Sequence, residues 1–118
     1  MCECDYEQPD VFEQSNVKAR QFHRCDECRG WIAPGETYRK SFGVWDGDAR
    51  SYKTCSDCQE FAGWAEEQNG DDICYAFGNM IHDIGDCLHE MGDRRVDAEM
   101  SMRWQELRRK RRAVGISA

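Results

Sequence analysis

The chain has 118 residues, eight cysteines and a formal net charge of −7. Leu, Ile, Val and Phe together number only 17, a share below the ~20% at which charged chains tend towards disorder. An aliphatic core of ordinary size is therefore excluded for part of the chain, and a cross-link or a metal must supplement burial.

Residues 1–22 hold Pro9 and scattered polar residues, and the first 16 carry five acids and no base. This composition predicts a weakly ordered acidic arm. Residues 1–17 lack the basic start and apolar run of a secretory leader, and no later segment approaches the ~18 apolar residues of a membrane span. The expectation is a cytoplasmic protein without a membrane segment. In that compartment thiols stay reduced and paired cysteines favour metal over disulfides.

Residues 23–70 form a cysteine-bounded unit. Cys25 and Cys28 make one CxxC pair, Cys55 and Cys58 a second, and 26 residues separate them. Two residues between thiolates let a tight knuckle aim both sulfurs at one ion, and four thiolates complete the tetrahedron that Zn²⁺ accepts. Gly30 closely follows the first pair and suits the backbone turn of such a knuckle. Glu36 to Trp45 and Ala49 to Thr54 read as strands. Asp46-Gly47 between them supplies the positive φ angles of a type I′ hairpin turn. Ser56, with Gln59 three residues on, predicts a capping box that opens a helix through Gln68. The helix dipole there favours thiolates over thiols at the second pair.

Residues 71–118 predict a helical pair. Ile73, Phe77, Met80, Ile81, Ile84, Cys87, Leu88 and Met91 share one face of a helix over 73–91 at ~100° per residue. Asp93 caps a third helix with Val96, Met100, Trp104 and Leu107 as its stripe. Residues 94–118 carry eight bases against three acids, and Arg108, Arg109, Lys110, Arg111 and Arg112 form a continuous basic run. That run reads as the solvated end of a helix, with phosphate or an acidic partner as the alternative contact.

The predicted fold is therefore α+β, in the order of a treble-clef zinc finger (knuckle, β-hairpin, helix) followed by two α-helices. The segment Lys18 to Cys58 (HRCDEC, IAPGETY, GVWDG and YKTCSDC) resembles small zinc-finger proteins encoded in phage and prophage genomes, generally of uncharacterised function. The resemblance covers about a third of the chain. It places Cys25, Cys28, Cys55 and Cys58 on the family's cysteines, and Gly35, Trp45, Asp46 and Gly47 on its hairpin. It implies fold, metal and a phage origin, and is silent about biochemistry.

Four cysteines remain. Cys74 and Cys87 lie thirteen residues apart, roughly 20 Å along a helix, and each is expected to pack as an apolar thiol. The alternative is a second zinc site in which Cys2 and Cys4 fold back to join Cys74 or Cys87 and a histidine. His82 and His89 stand ~10 Å apart on their helix and cannot share an ion. His23 is expected at the surface.

A zinc with four sulfur ligands has no open position for water, so it organises the fold and does not hydrolyse. No histidine lies between residues 31 and 54, where a ββα-metal nuclease needs one, and no Ser-His-Asp set, phosphate loop or HExxH motif is present. The expected function is non-enzymatic: a phage-encoded accessory protein that binds and modulates a host protein or defence complex. Its acidic surface would suit a nucleic-acid mimic. The alternative is a nucleic-acid-binding finger that uses the basic C-terminal helix, against which the net charge counts.

Overall fold

A computed structural model describes residues 9–69 and 75–116. Five strands precede three helices: β1 (Val11–Lys18), β2 (His23–Arg24), β3 (Trp31–Ile32), β4 (Thr37–Trp45), β5 (Asp48–Thr54), α1 (Ser56–Gln68), α2 (Met80–Glu90) and α3 (Arg94–Ile116). The α+β class follows as expected.

The hairpin forms where its turn chemistry places it. Asp46 and Gly47 take φ values of 52° and 82°, which match the right-handed twist of the flanking strands. β4 and β5 pair antiparallel from Trp45↔Asp48 to Arg39↔Thr54. The Trp45 ring folds over Gly43, where a β-carbon would collide with it.

β1 was expected to belong to a weakly ordered arm. Instead it pairs antiparallel along β4, from Val11↔Val44 to Lys18↔Thr37, and makes the sheet order β1-β4-β5. Seven of its eight residues are exposed, so it carries no apolar alternation. Backbone pairing with β4 holds it, and that is invisible in its own composition.

The knuckle lies between β2 and β3, which pair as a second two-stranded sheet. The Cys25 N–H donates to the Gly30 carbonyl at 2.9 Å and the Arg29 N–H to the Cys25 carbonyl at 3.0 Å. Arg29, with φ of 62°, carries the left-handed conformation of this turn. Gly30 is required for space, because a β-carbon there would run into the Cβ of Arg111 on α3.

α1 spans the expected residues, but its cap sits one residue earlier than a Ser56–Gln59 box. Cys55 is the N-cap in extended conformation (φ −67°, ψ 161°), and its sulfur accepts the Cys58 N–H. Gln59 Nε2 donates instead to the Thr54 carbonyl at 3.1 Å.

α2 begins at Met80, later than the periodicity suggests. Gly78 takes a left-handed φ of 84°, which ends any helical run before it. Phe77, assigned to the helical stripe by spacing, stacks on Tyr52 of the sheet at 5.0 Å between centroids and on Phe12 at 5.9 Å. Ile73 lies outside the described residues.

α3 follows its expected stripe. Asp93 Oδ1 accepts the Arg95 N–H at 2.9 Å, Val96 and Leu107 are buried, and Met100 and Trp104 pack against the core. One core cluster joins Ile32, Tyr38 and the four knuckle cysteines to Phe61, Trp64 and Ala65 of α1, Met80, Ile84 and Leu88 of α2, and Val96 and Leu107 of α3. No helix is long and apolar enough to cross a membrane among the described residues.

Candidate metal centre

Cys25 and Cys28 come from the knuckle, Cys55 from the N-cap of α1 and Cys58 from its first turn. Their four sulfurs lie within 4.8 Å of one another and all four residues are buried. Cys25 Sγ is 3.7 Å from Cys58 Sγ, and Cys28 Sγ is 3.8 Å from Cys55 Sγ. A tetrahedron with metal–sulfur bonds of about 2.3 Å has edges of about 3.8 Å. The spacing therefore fits one tetrahedral ion, and the four thiols are free of disulfides.

Backbone amides surround the sulfurs. Cys25 Sγ accepts from the N–H groups of Glu27 and Cys55, Cys28 Sγ from Gly30 and Cys55 Sγ from Cys58, each at 3.4 Å. These donors favour the thiolate form that metal binding requires. Hydrogen bonds from Cys28, Cys55 and Cys58 pull the Cys25 thiol well below its ordinary range against the opposing effect of burial. The same sulfur pushes Cys55 and Cys58 far up. The thiolate is thus favoured at Cys25 and Cys28 and opposed at Cys55 and Cys58, an imbalance that a dication removes.

Two buried charged side chains, neither singled out by its own sequence context, tie this centre to the helices. Glu27, inside the first CxxC, is 8% exposed. Its carboxylate accepts the Gly78 N–H at 2.9 Å and the Met80 N–H at 3.0 Å, at the start of α2. Burial raises its pKa, and the two amides oppose that shift.

Arg111 is 4% exposed. Its Nε donates to Asp57 Oδ2 at 2.6 Å, and its Nη1 to Glu36 Oε1 at 2.9 Å and to the Trp31 carbonyl at 3.2 Å. Asp57 stands between Cys55 and Cys58 in the first turn of α1. Burial works against the guanidinium charge, but its hydrogen bonds to Asp57 and Glu36 outweigh it and hold the pKa above its ordinary value.

The basic run is accordingly divided. Arg111 is an internal clamp, and Lys110 Nζ donates to Asp57 Oδ1 at 3.2 Å from the surface. Arg108, Arg109 and Arg112 are exposed.

The second-site candidates do not assemble among the described residues. Cys2, Cys4 and Cys74 lie outside them. Cys87 is buried as expected, with Asn69 Nδ2 at 3.6 Å from its sulfur. His82 and His89 are exposed and approach carboxylates, His82 those of Asp83 and Asp86 and His89 that of Asp97. His23 is half-buried beside the Tyr38 ring at 5.4 Å rather than free at the surface. Comparison with known proteins finds no matching family model, curated protein or solved structure.

Proposed function

We propose that this protein is a non-enzymatic binding module built on one structural zinc ion held by Cys25, Cys28, Cys55 and Cys58, in a treble-clef arrangement. The observation that carries this reading is the closed set of four buried sulfurs at tetrahedral spacing. Four sulfur ligands leave zinc no position for a substrate or water, so the ion acts on the fold. Knuckle, hairpin and a helix bearing the second pair in its first turn support the treble-clef assignment. The residues that a second zinc would need beside Cys87, namely Cys2, Cys4 and Cys74, lie outside the described residues.

The partner in this reading is a protein. Residues 59–93 carry nine acids and no base, and Glu60, Glu67 and Asp86 are exposed on α1 and α2. Exposed acids of this density attract a basic protein surface and repel nucleic acid. The resemblance to phage zinc-finger proteins makes a host protein or defence complex in the bacterial cytoplasm the natural target, with these acids in the role of an acidic mimic. Involvement of Arg111 and Lys110 in internal ion pairs weakens the competing role of the C-terminal run in binding phosphate.

Two measurements test the proposal. Metal analysis of the purified chain should give about one zinc per chain. A stoichiometric partner captured at moderate salt should be lost on charge reversal at Glu60, Glu67 and Asp86. Zinc-free protein with an intact fold would overturn the first part, and capture indifferent to those reversals the second.

A further inference from the structure

The acidic net charge hides a cationic face on the opposite part of the chain. Residues 17–58 carry eight bases and six acids, and four of those acids are engaged internally. Asp26 accepts the Lys53 N–H, Glu27 caps α2, and Glu36 and Asp57 hold Arg111. Asp46 and Asp48 remain, at the hairpin turn.

Among the bases, Arg24 donates to the Arg29 carbonyl at 2.7 Å and lies over the Trp31 ring, whereas four others are not so engaged. An open groove of about 930 Å³ is lined by Val17, Lys18, Arg20, His23, Tyr38 and Lys40, among others. Val17 and Tyr38 are register partners, and Lys40 follows Tyr38 on the same face of β4. Lys53 stands directly across from Lys40 on β5. Among the described residues, the charged ends of Lys18, Arg20, Lys40 and Lys53 meet no carboxylate. Glu13, opposite Phe42 on this face, is ion-paired to none of them.

Like charges directly opposite in an antiparallel pair destabilise a sheet. The Lys40–Lys53 pairing therefore costs the free protein stability, and a polyanion laid across it would relieve that cost. We propose that this groove and the adjoining lysine pair bind the phosphodiester backbone of a nucleic-acid strand. Successive phosphates supply the density of negative charge that the Lys40–Lys53 pair and the groove cations Lys18 and Arg20 would meet, and a lysine ammonium contacts phosphate as a point charge without demanding one geometry. The half-buried His23 ring in the groove wall offers a base a surface to stack on. The acidic residues of 59–93 lie elsewhere in the chain, and salt screens their repulsion beyond a Debye length of about 8 Å at physiological ionic strength. This site is independent of any protein partner of those acids.

The test is fluorescence anisotropy of the zinc-loaded full chain with a labelled single strand of about 16 nucleotides. Binding should weaken steeply as salt rises. The variant K18A/R20A/K40A/K53A should lose at least about tenfold in affinity, and its log–log salt slope should shrink by about 3, near 0.7 for each lost phosphate contact. R108A/R109A/R112A should stay within about twofold of the parent. Because the quadruple variant alters paired strands, a second measurement uses the unmodified chain: the oligonucleotide should raise its Tm, and K53T alone should raise the Tm of the free protein while lowering the gain on binding. Absence of binding at low salt overturns the proposal, as does loss of binding in the Arg108 variant with the groove variant unaffected. Polyglutamate competing as well as the oligonucleotide, charge for charge, would overturn it in favour of an acidic protein segment.

Discussion

Arg111 of α3 lies against Gly30 of the knuckle so closely that its β-carbon occupies the space a side chain at position 30 would need. The last helix is thereby seated on the loop that presents Cys25 and Cys28, and the arginine head continues on to Glu36 and to Asp57 beside the second cysteine pair. Metal loop, hairpin and α3 meet at a single buried guanidinium.

Gly30→Ala should therefore destabilise the protein by about 1–3 kcal/mol, the cost of overpacking a close contact. Chemical denaturation of the zinc-loaded protein measures this. Gly35, whose left-handed φ is 93° with open space around it, gives a contrast. Gly35→Ala incurs conformational strain alone, so removing the Arg111 β-carbon should not rescue it. A variant combining Gly30→Ala with Arg111→Gly, which removes that β-carbon, should show strong coupling between the two sites.

Removal of the Arg111 head should cost more. Its side chain is 5% exposed and that of Asp57 12%, so Arg111→Met leaves Glu36 without a counter-ion and nearly buried Asp57 with only the exposed Lys110. The expected loss is about 3 kcal/mol, read from denaturant midpoints. Arg111→Lys should recover only part of it, because one ammonium cannot span Asp57, Glu36 and the Trp31 carbonyl as the guanidinium fork does. Arg108→Ala and Arg112→Ala, on exposed positions of the same helix, should stay within about 0.5 kcal/mol of the parent.

Glu27 should act as the remote cap of α2. Glu27→Ala leaves the Gly78 and Met80 amides without their acceptor, and about 1–3 kcal/mol should be lost. Hydrogen exchange should show the loss concentrated in the first turn of α2. The carboxyl pKa is raised in the folded state by burial, so folding favours its protonated form. Its contribution is full below the unfolded-state pKa and declines as pH rises through the folded-state value. Measured against the non-titrating Glu27→Gln, the parent should lose relative stability over that interval, and parallel pH profiles would contradict the assignment.

Zinc removal should dissolve the centre that these contacts converge on. A strong chelator, or Cys25→Ser combined with Cys58→Ser, should abolish the cooperative transition of the hairpin half. Zinc should also be released as pH falls, because each thiolate that takes a proton leaves the ion. A colorimetric zinc assay across an acid titration follows this directly.

The four clustered cysteines were legible in the sequence because a CxxC pair is local, and two such pairs around a hairpin can meet in one tetrahedral cluster. The Asp46-Gly47 turn, α1 and the stripe of α3 were legible for the same reason. Helix periodicity misplaced Phe77, because an aromatic ring at helical spacing and one reaching back to Tyr52 have the same local pattern. The exposed strand β1 left no mark, since a strand without a buried face has no alternation to read.

What the sequence determined by itself was therefore the chemistry of short segments: two thiolate pairs, a type I′ turn, and two helices whose boundaries follow their own residues. Only the tertiary structure decided the role of Glu27 as the cap of a helix more than fifty residues away, and of Arg111 as a clamp inside what reads as a solvated basic tail. It also set Lys40 against Lys53. The physical reason is common to all three: an ion pair or cap is defined by its partner, and a partner many residues distant leaves no periodicity, spacing or composition by which the charge could be told from any other on the surface.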